Sequence, residues 1–155
     1  MRNHRFVALA AAFALLAGNP GTPARAQEGV LTGDAIVGEW ITPDQKARVQ
    51  VYKCGDQYCG KLVWLKEPMK DGKPVVDDKN PDERLRSQPV LDLQIMRDFT
   101  FDGEDEWSGG KIYDPENGND YSGKITLKDP STLELRGYVL ISLFGRTEIW
   151  KKAEQ

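Results

Sequence analysis

Apolar and polar residues alternate along most of this chain, in short runs separated by turn signals. Residues 47–53 are the clearest case: Ala47, Val49 and Val51 share one face, and Arg48, Gln50 and Tyr52 the other. Residues 36–41, 58–65, 90–100, 107–113, 121–127, 132–140 and 146–151 also read as strands. Between them stand Thr42-Pro43-Asp44, Gly55-Asp56, Asp102-Gly103, Asn117-Gly118, Lys128-Asp129-Pro130 and Leu143-Phe144-Gly145. Asn-Gly is the strongest of these hairpin markers, because both residues tolerate positive φ. Eight strands in sequence, nearly all joined by short turns, predict an all-β, eight-stranded antiparallel up-and-down barrel. Closure of such a sheet removes its exposed edges. The interior is then just wide enough for side chains or for one small ligand. A two-sheet sandwich is the alternative.

Two stretches fall outside the alternation. Residues 66–89, after the third strand, are rich in Lys, Asp, Pro and Arg and have no period. A loop of that length is often functional, and Pro81 followed by early acids allows a helical turn over 81–86. At the N-terminus, Arg2, His4 and Arg5 precede an unbroken apolar run, residues 6–17, then Gly18-Asn19-Pro20 and the small-x-small sequence Ala24-Arg25-Ala26. The run is shorter than the roughly 20 residues a membrane span needs. It predicts a signal peptide cleaved after Ala26, with a retained membrane anchor as the alternative. Residues 27–155 are then a single barrel domain, exported to the periplasm or beyond, with no integral membrane segment after cleavage.

Cleavage changes the chemistry available. The 155-residue chain has 21 basic and 24 acidic residues. Losing Arg2, Arg5 and Arg25 leaves 18 basic residues and moves the formal charge from −3 to −6. An acidic chain argues against nucleic acid or an anionic membrane as its main partner. The one histidine, His4, leaves with the signal. Without it a Ser-His-Asp or Cys-His constellation cannot form within the chain, and a histidine-based metal site is excluded likewise. Neither a cofactor nor a metal is expected.

The two cysteines, Cys54 and Cys59, fall at the ends of facing strands, so a disulfide would clamp a hairpin tip. Four intervening residues are too many for the usual redox-active spacing, and zinc would lack further ligands. An exported chain favours the disulfide, worth about 2 kcal/mol for so small a loop; redox chemistry is the alternative.

Gly38-Glu39-Trp40 on the first strand, with Arg146 near the last, resembles the lipocalin and wider calycin arrangement. That resemblance implies a tryptophan under the barrel with a late arginine across its ring, here Trp40 and Arg146, a cation over an aromatic face. Nearly all of residues 27–155 also resembles an exported bacterial family known as domain of unknown function 2147. The likeness rests on GEW (38–40), YKCGDQYCGKLVWL (52–65), DDKNPDERLRSQPV (77–90), WSGGKIYDPENGNDYSGKI (107–125), LELRGYV (133–139) and FGRTEIW (144–150). It implies a lipocalin-like barrel and an envelope location, and brings no catalytic residues with it.

Candidate ligand contacts follow from residue chemistry. Trp64, Trp107, Tyr113 and Tyr138 either line a cavity or fill the core. Arg84 and Arg86 either grip an anionic group by bidentate hydrogen bonds or pair with Asp77, Asp78, Asp82 or Glu83. Asp78-x-Asn80-x-Asp82 has the start of a calcium loop, but Glu83 stands where that loop needs glycine and Pro89 where it needs glutamate; a turn capped by its own side chains fits better. The sequence therefore reads first as a non-enzymatic envelope protein holding a small apolar or amphipathic ligand. A protein-interaction module, such as an envelope enzyme inhibitor using residues 27–34 or the loop 66–89, is the second reading. An enzyme comes third, because nothing selects a catalytic carboxylate pair.

Overall fold

The computed structural model describes residues 31–141 and 145–154; the signal-peptide reading falls outside them. Eight antiparallel strands close into a barrel: β1 (Gly38–Ile41), β2 (Ala47–Cys54), β3 (Gln57–Leu65), β6 (Gln94–Phe101), β7 (Glu106–Asp114), β8 (Asn119–Asp129), β9 (Thr132–Tyr138) and β10 (Gly145–Lys152). Each pairs with its neighbour in sequence, and β10 returns to β1. The long loop after β3 contains a two-stranded hairpin, β4 (Met69–Lys70) and β5 (Lys73–Pro74).

Three strands are cut short relative to the sequence expectation. Ile36 belongs to a 3-10 turn, Gly33–Ile36, which precedes β1. Residues 90–93 are not strand: Asp92 has φ 66° and the Leu93 N–H donates to the Val90 carbonyl at 3.2 Å. β9 stops at Tyr138 because Leu140, at φ 68°, turns the chain. The helical turn is the 3-10 segment Glu83–Leu85, capped by the Asp82 side chain on the Arg84 N–H. Cys54 and Cys59 form the disulfide across the β2–β3 tip.

Strand alternation fills the lower half of the barrel, the end that holds the disulfide tip and the Gly33–Ile36 turn. Ile36, Trp40, Val49, Val51, Phe99, Trp107, Ile125 and Leu133 are fully buried there. The Trp107 indole donates to the Gly33 carbonyl at 3.0 Å and that of Trp40 to the Ile36 carbonyl at 2.8 Å. These bonds seal the floor and satisfy both buried N–H groups.

The expected Trp40–Arg146 pair does not form. Lys152 places its ammonium 4.6 Å from the Trp40 ring centroid and donates to the Val37 carbonyl at 2.8 Å. Register explains this: Trp40 pairs with Lys152, whereas Arg146 pairs with Gly137 at the other end of β10. Burial lowers the pKa of the Lys152 ammonium.

Candidate functional site

Cross-strand partners point to the same face of a sheet. Gly110 pairs with Gly123, Gly123 with Gly137, and Gly137 with Arg146. The Phe99 ring lies where Cβ atoms of Gly110 and Gly123 would stand. This glycine row therefore faces the interior, and the Phe99 ring covers its Gly110 and Gly123 members as a plate. Below the plate the interior is closed by side chains. Above it, on the β7–β10 side, the inward positions Ile112, Tyr121, Gly137 and Glu148 are only partly buried, and Arg146 is exposed. Across from them Ala47, Leu62 and Met96 are buried. This end of the barrel, its mouth, therefore joins buried apolar positions to partly exposed ones, with Glu148 and Arg146 on one wall.

The charged wall is loosely tied. Glu148 accepts the Trp150 indole N–H at 3.0 Å, and its other oxygen is 3.7 Å from Arg146, whose side chain is 86 % exposed. β1 meets β10 through two residue pairs, Trp40–Lys152 and Ile41–Lys151. Beyond those two pairs β10 keeps β9 as its strand partner, and the 3-10 turn Pro43–Gln45 that follows β1 approaches it on the other side. Gly137 could carry a Cβ without a clash, which would find its nearest neighbours at ordinary contact distance, Tyr121 Cβ at 3.7 Å and Ile112 Cδ1 at 3.8 Å.

The long loop is clasped to the outer wall. Ile95 and Tyr113 alternate with the inward-facing Met96 and Ile112, yet both are buried. Asp77, fully buried, accepts the Tyr113 hydroxyl at 2.7 Å, the Asn80 amide at 2.6 Å and the Gln88 amide at 3.3 Å. Backbone bonds add to the clasp: the Asp77 N–H donates to the Gln88 carbonyl and the Val90 N–H to the Val75 carbonyl. Sequence reasoning missed Asp77 as a structural centre, because one aspartate among 24 acidic residues carries no local mark of burial. The usable signal was Val75-Val76 directly before it, an apolar pair inside a polar loop.

The predicted ligand contacts do not converge. Trp64 is on the outer wall, 41 % exposed, under the Arg48 guanidinium at 5.4 Å. Trp107 is core and not lining. Tyr113 belongs to the clasp, and Tyr138 ends β9 on the outer face, opposite Ser122. Arg84 binds both carboxylate oxygens of Asp82, and Arg86 donates to the Asn80 carbonyl and to Glu83. The neighbouring acids thus occupy these arginines. Within 78–82, Asn80 accepts the Asp82 N–H at 2.9 Å, a side-chain-capped turn. An open, mixed-polarity depression of about 680 Å³ lies along β4–β5, between Lys70, Lys73, Val75 and Pro89.

Two buried tyrosines set an alkaline limit. Burial foremost, and then the bond to Asp34, push Tyr58 up to about 12. Burial and the bond to Asp77 push Tyr113 upward as well. Both raised groups hold their proton in the fold after the unfolded chain has released it near pH 10. Their contribution to stability is therefore complete below about pH 10 and is lost as pH rises toward 12. Urea melts are expected to show a flat profile to about pH 10, then a fall of about 1.4 kcal/mol per pH unit for each tyrosine. Tyr58→Phe should remove one proton's worth of that slope; an unchanged slope would refute the assignment.

The fold and mouth define a lipocalin-like β-barrel. Residues 38–152 match the family described as "Uncharacterized protein conserved in bacteria (DUF2147)", and the chain belongs to that family. Among solved structures it is similar to a protein described as "Protein HP1028 from the human pathogen Helicobacter pylori belongs to the lipocalin family", at 20 % identity and a TM-score of 0.68. That match covers 77 % of this chain and 83 % of the other. No curated protein matches the chain. The disulfide is compatible with an exported protein, and no helix among the described residues is long and apolar enough to cross a membrane.

Proposed function

We propose that this protein is exported, with residues 1–26 removed as a signal peptide, and acts as a non-enzymatic binding module of the cell envelope. Its ligand is a small amphipathic molecule held in the barrel mouth above Phe99. The observation that carries this reading is the contrast within one interior. Inward positions below Phe99 are sealed, whereas Ile112, Tyr121, Gly137 and Glu148 above it keep partial exposure. The apolar part of the ligand lies against Ile112, Tyr121 and the bare Gly137 backbone, and its polar head meets Arg146 and Glu148. Charged groups at the rim of an apolar cup fix orientation while apolar contact supplies affinity. The described residues contain no histidine, so the site offers carboxylate, guanidinium and phenol groups, which suits holding better than turnover.

Native mass spectrometry of protein purified from its own envelope fractions is expected to show a co-purifying small molecule. Titration with the fluorescent amphiphile N-phenyl-1-naphthylamine should then report the mouth. Gly137→Leu, at a position that admits a Cβ without a clash, should weaken binding about tenfold or more by filling the mouth; a melting temperature kept near the wild-type value separates this from lost folding. Equal affinity in the two proteins would move the ligand out of the mouth. A protein-interaction role is the second reading, favoured by the clasped loop, which presents Met69 and Val76 beside the depression along β4–β5. Recovery of a stoichiometric protein and no small molecule would select it.

A further inference from the structure

The turn between β9 and β10 carries a surface that the mouth does not use. Val139, Leu140 and Ile141 are 58, 92 and 52 % exposed. Nowhere else among the described residues do three consecutive large aliphatic side chains face solvent. Exposed aliphatics are ordinarily scattered singly, and a contiguous group marks an interaction site. The backbone holds them outward. Leu140 sits at φ 68°, and the Ile141 N–H donates to the Val139 carbonyl at 2.9 Å. A leucine in that conformation is strained. Glycine at 140 would relieve the strain and remove the most exposed apolar side chain of the tip.

Although the chain as a whole is acidic, residues 136–147 carry Arg136 and Arg146 and no acidic residue, with Glu134 and Glu148 on either side of the stretch. Arg136 donates to Thr147 Oγ1 at 2.7 Å across the strand pair, and Arg146 extends into solvent despite Glu148 nearby. Tyr138, half-buried, ends the strand directly below the tip. Aliphatic tip, tyrosine collar and then arginines is the order in which hydrocarbon, interface and anionic headgroups are met at a membrane surface.

The geometry points to a membrane-docking role: the β9–β10 turn inserts Val139, Leu140 and Ile141 into an anionic lipid surface and sets the barrel mouth toward it. Docking requires no ligand in the mouth, so this role stands or falls apart from the binding reading. The test is co-sedimentation of the chain from Gln27 onward, which contains every described residue, with vesicles of phosphatidylglycerol and phosphatidylcholine. The wild type is expected to sediment, more weakly with phosphatidylcholine alone. Leu140→Asp should lower the partition coefficient about tenfold or more. Ile149→Asp, an equally apolar exposed position on the β10 wall, should not. Because Leu140 is exposed, its variant should keep the wild-type melting temperature, which separates lost docking from lost folding. In Leu140→Trp, vesicles should shift the emission to the blue. Failure of the wild type to bind anionic vesicles, or equal losses in the two aspartate variants, overturns the proposal.

Discussion

Replacing Gly110 with valine is expected to destabilise the barrel by about 3 kcal/mol or more, a large part of the margin of a domain this size. Gly110 faces inward, and the Phe99 ring occupies the space a Cβ would need. Gly123 is in the same position, with the tip of the same ring 2.5 Å from a Cβ built there. Phe99 is fully buried and stands opposite Tyr58 on β3, in a close-packed interior with little free volume for the ring to move into. Shrinking the ring should relieve the clash. Phe99→Ala alone costs about 3–5 kcal/mol by leaving a cavity. Phe99→Ala combined with Gly110→Val should cost less than the two single effects together, by about 1–3 kcal/mol. Urea unfolding followed by tryptophan fluorescence measures all four corners of the cycle. Strict additivity would mean that the ring and the glycine row are not in contact.

The second large effect lies outside the barrel. Asp77→Ala should cost about 2–4 kcal/mol, because it strands the Tyr113 hydroxyl and the Asn80 amide in a buried place with no acceptor. The defect should be local. Amide exchange at Asn80 and Val90, whose N–H groups bond within the loop to the Asp77 and Val75 carbonyls, should accelerate far more than exchange at Val49 or Ile125 in the wall. Tyr113→Phe in the same background should add little, since its partner has already gone, and that non-additivity identifies the pair as a clasp. If barrel and loop amides accelerated together, Asp77 would be supporting the whole fold and not one loop.

The fold was legible because strand period and turn chemistry agreed along the chain. Ala47, Val49 and Val51 alternate strictly and are buried accordingly, and Asn117-Gly118 does stand at the β7–β8 turn, with Gly118 at φ 74°. Strand ends were less legible, because residues 90–93 and 139–140 are as apolar as a strand and turn only where Asp92 and Leu140 take positive φ. The candidate site was legible in composition and not in place. Aromatic and arginine residues were sought as ligand contacts, yet Trp107, Tyr113, Arg84 and Arg86 all found partners within the protein. The residues that shape the mouth include Gly137 and Gly123, whose contribution is an absent side chain.

By itself the sequence determined the number of barrel strands, the meander order, the hairpin disulfide and the lack of histidine beyond residue 4, because each rests on local spacing or on composition. Tertiary structure decided the rest. Which cation covers Trp40 depended on register, which brought Lys152 and not Arg146 alongside. How the interior packs around Phe99 depended on one ring meeting two glycines from neighbouring strands. Whether a polar loop is loose or fastened depended on a single carboxylate reaching a tyrosine 36 positions away. Such long-range pairings carry no period for a sequence to display.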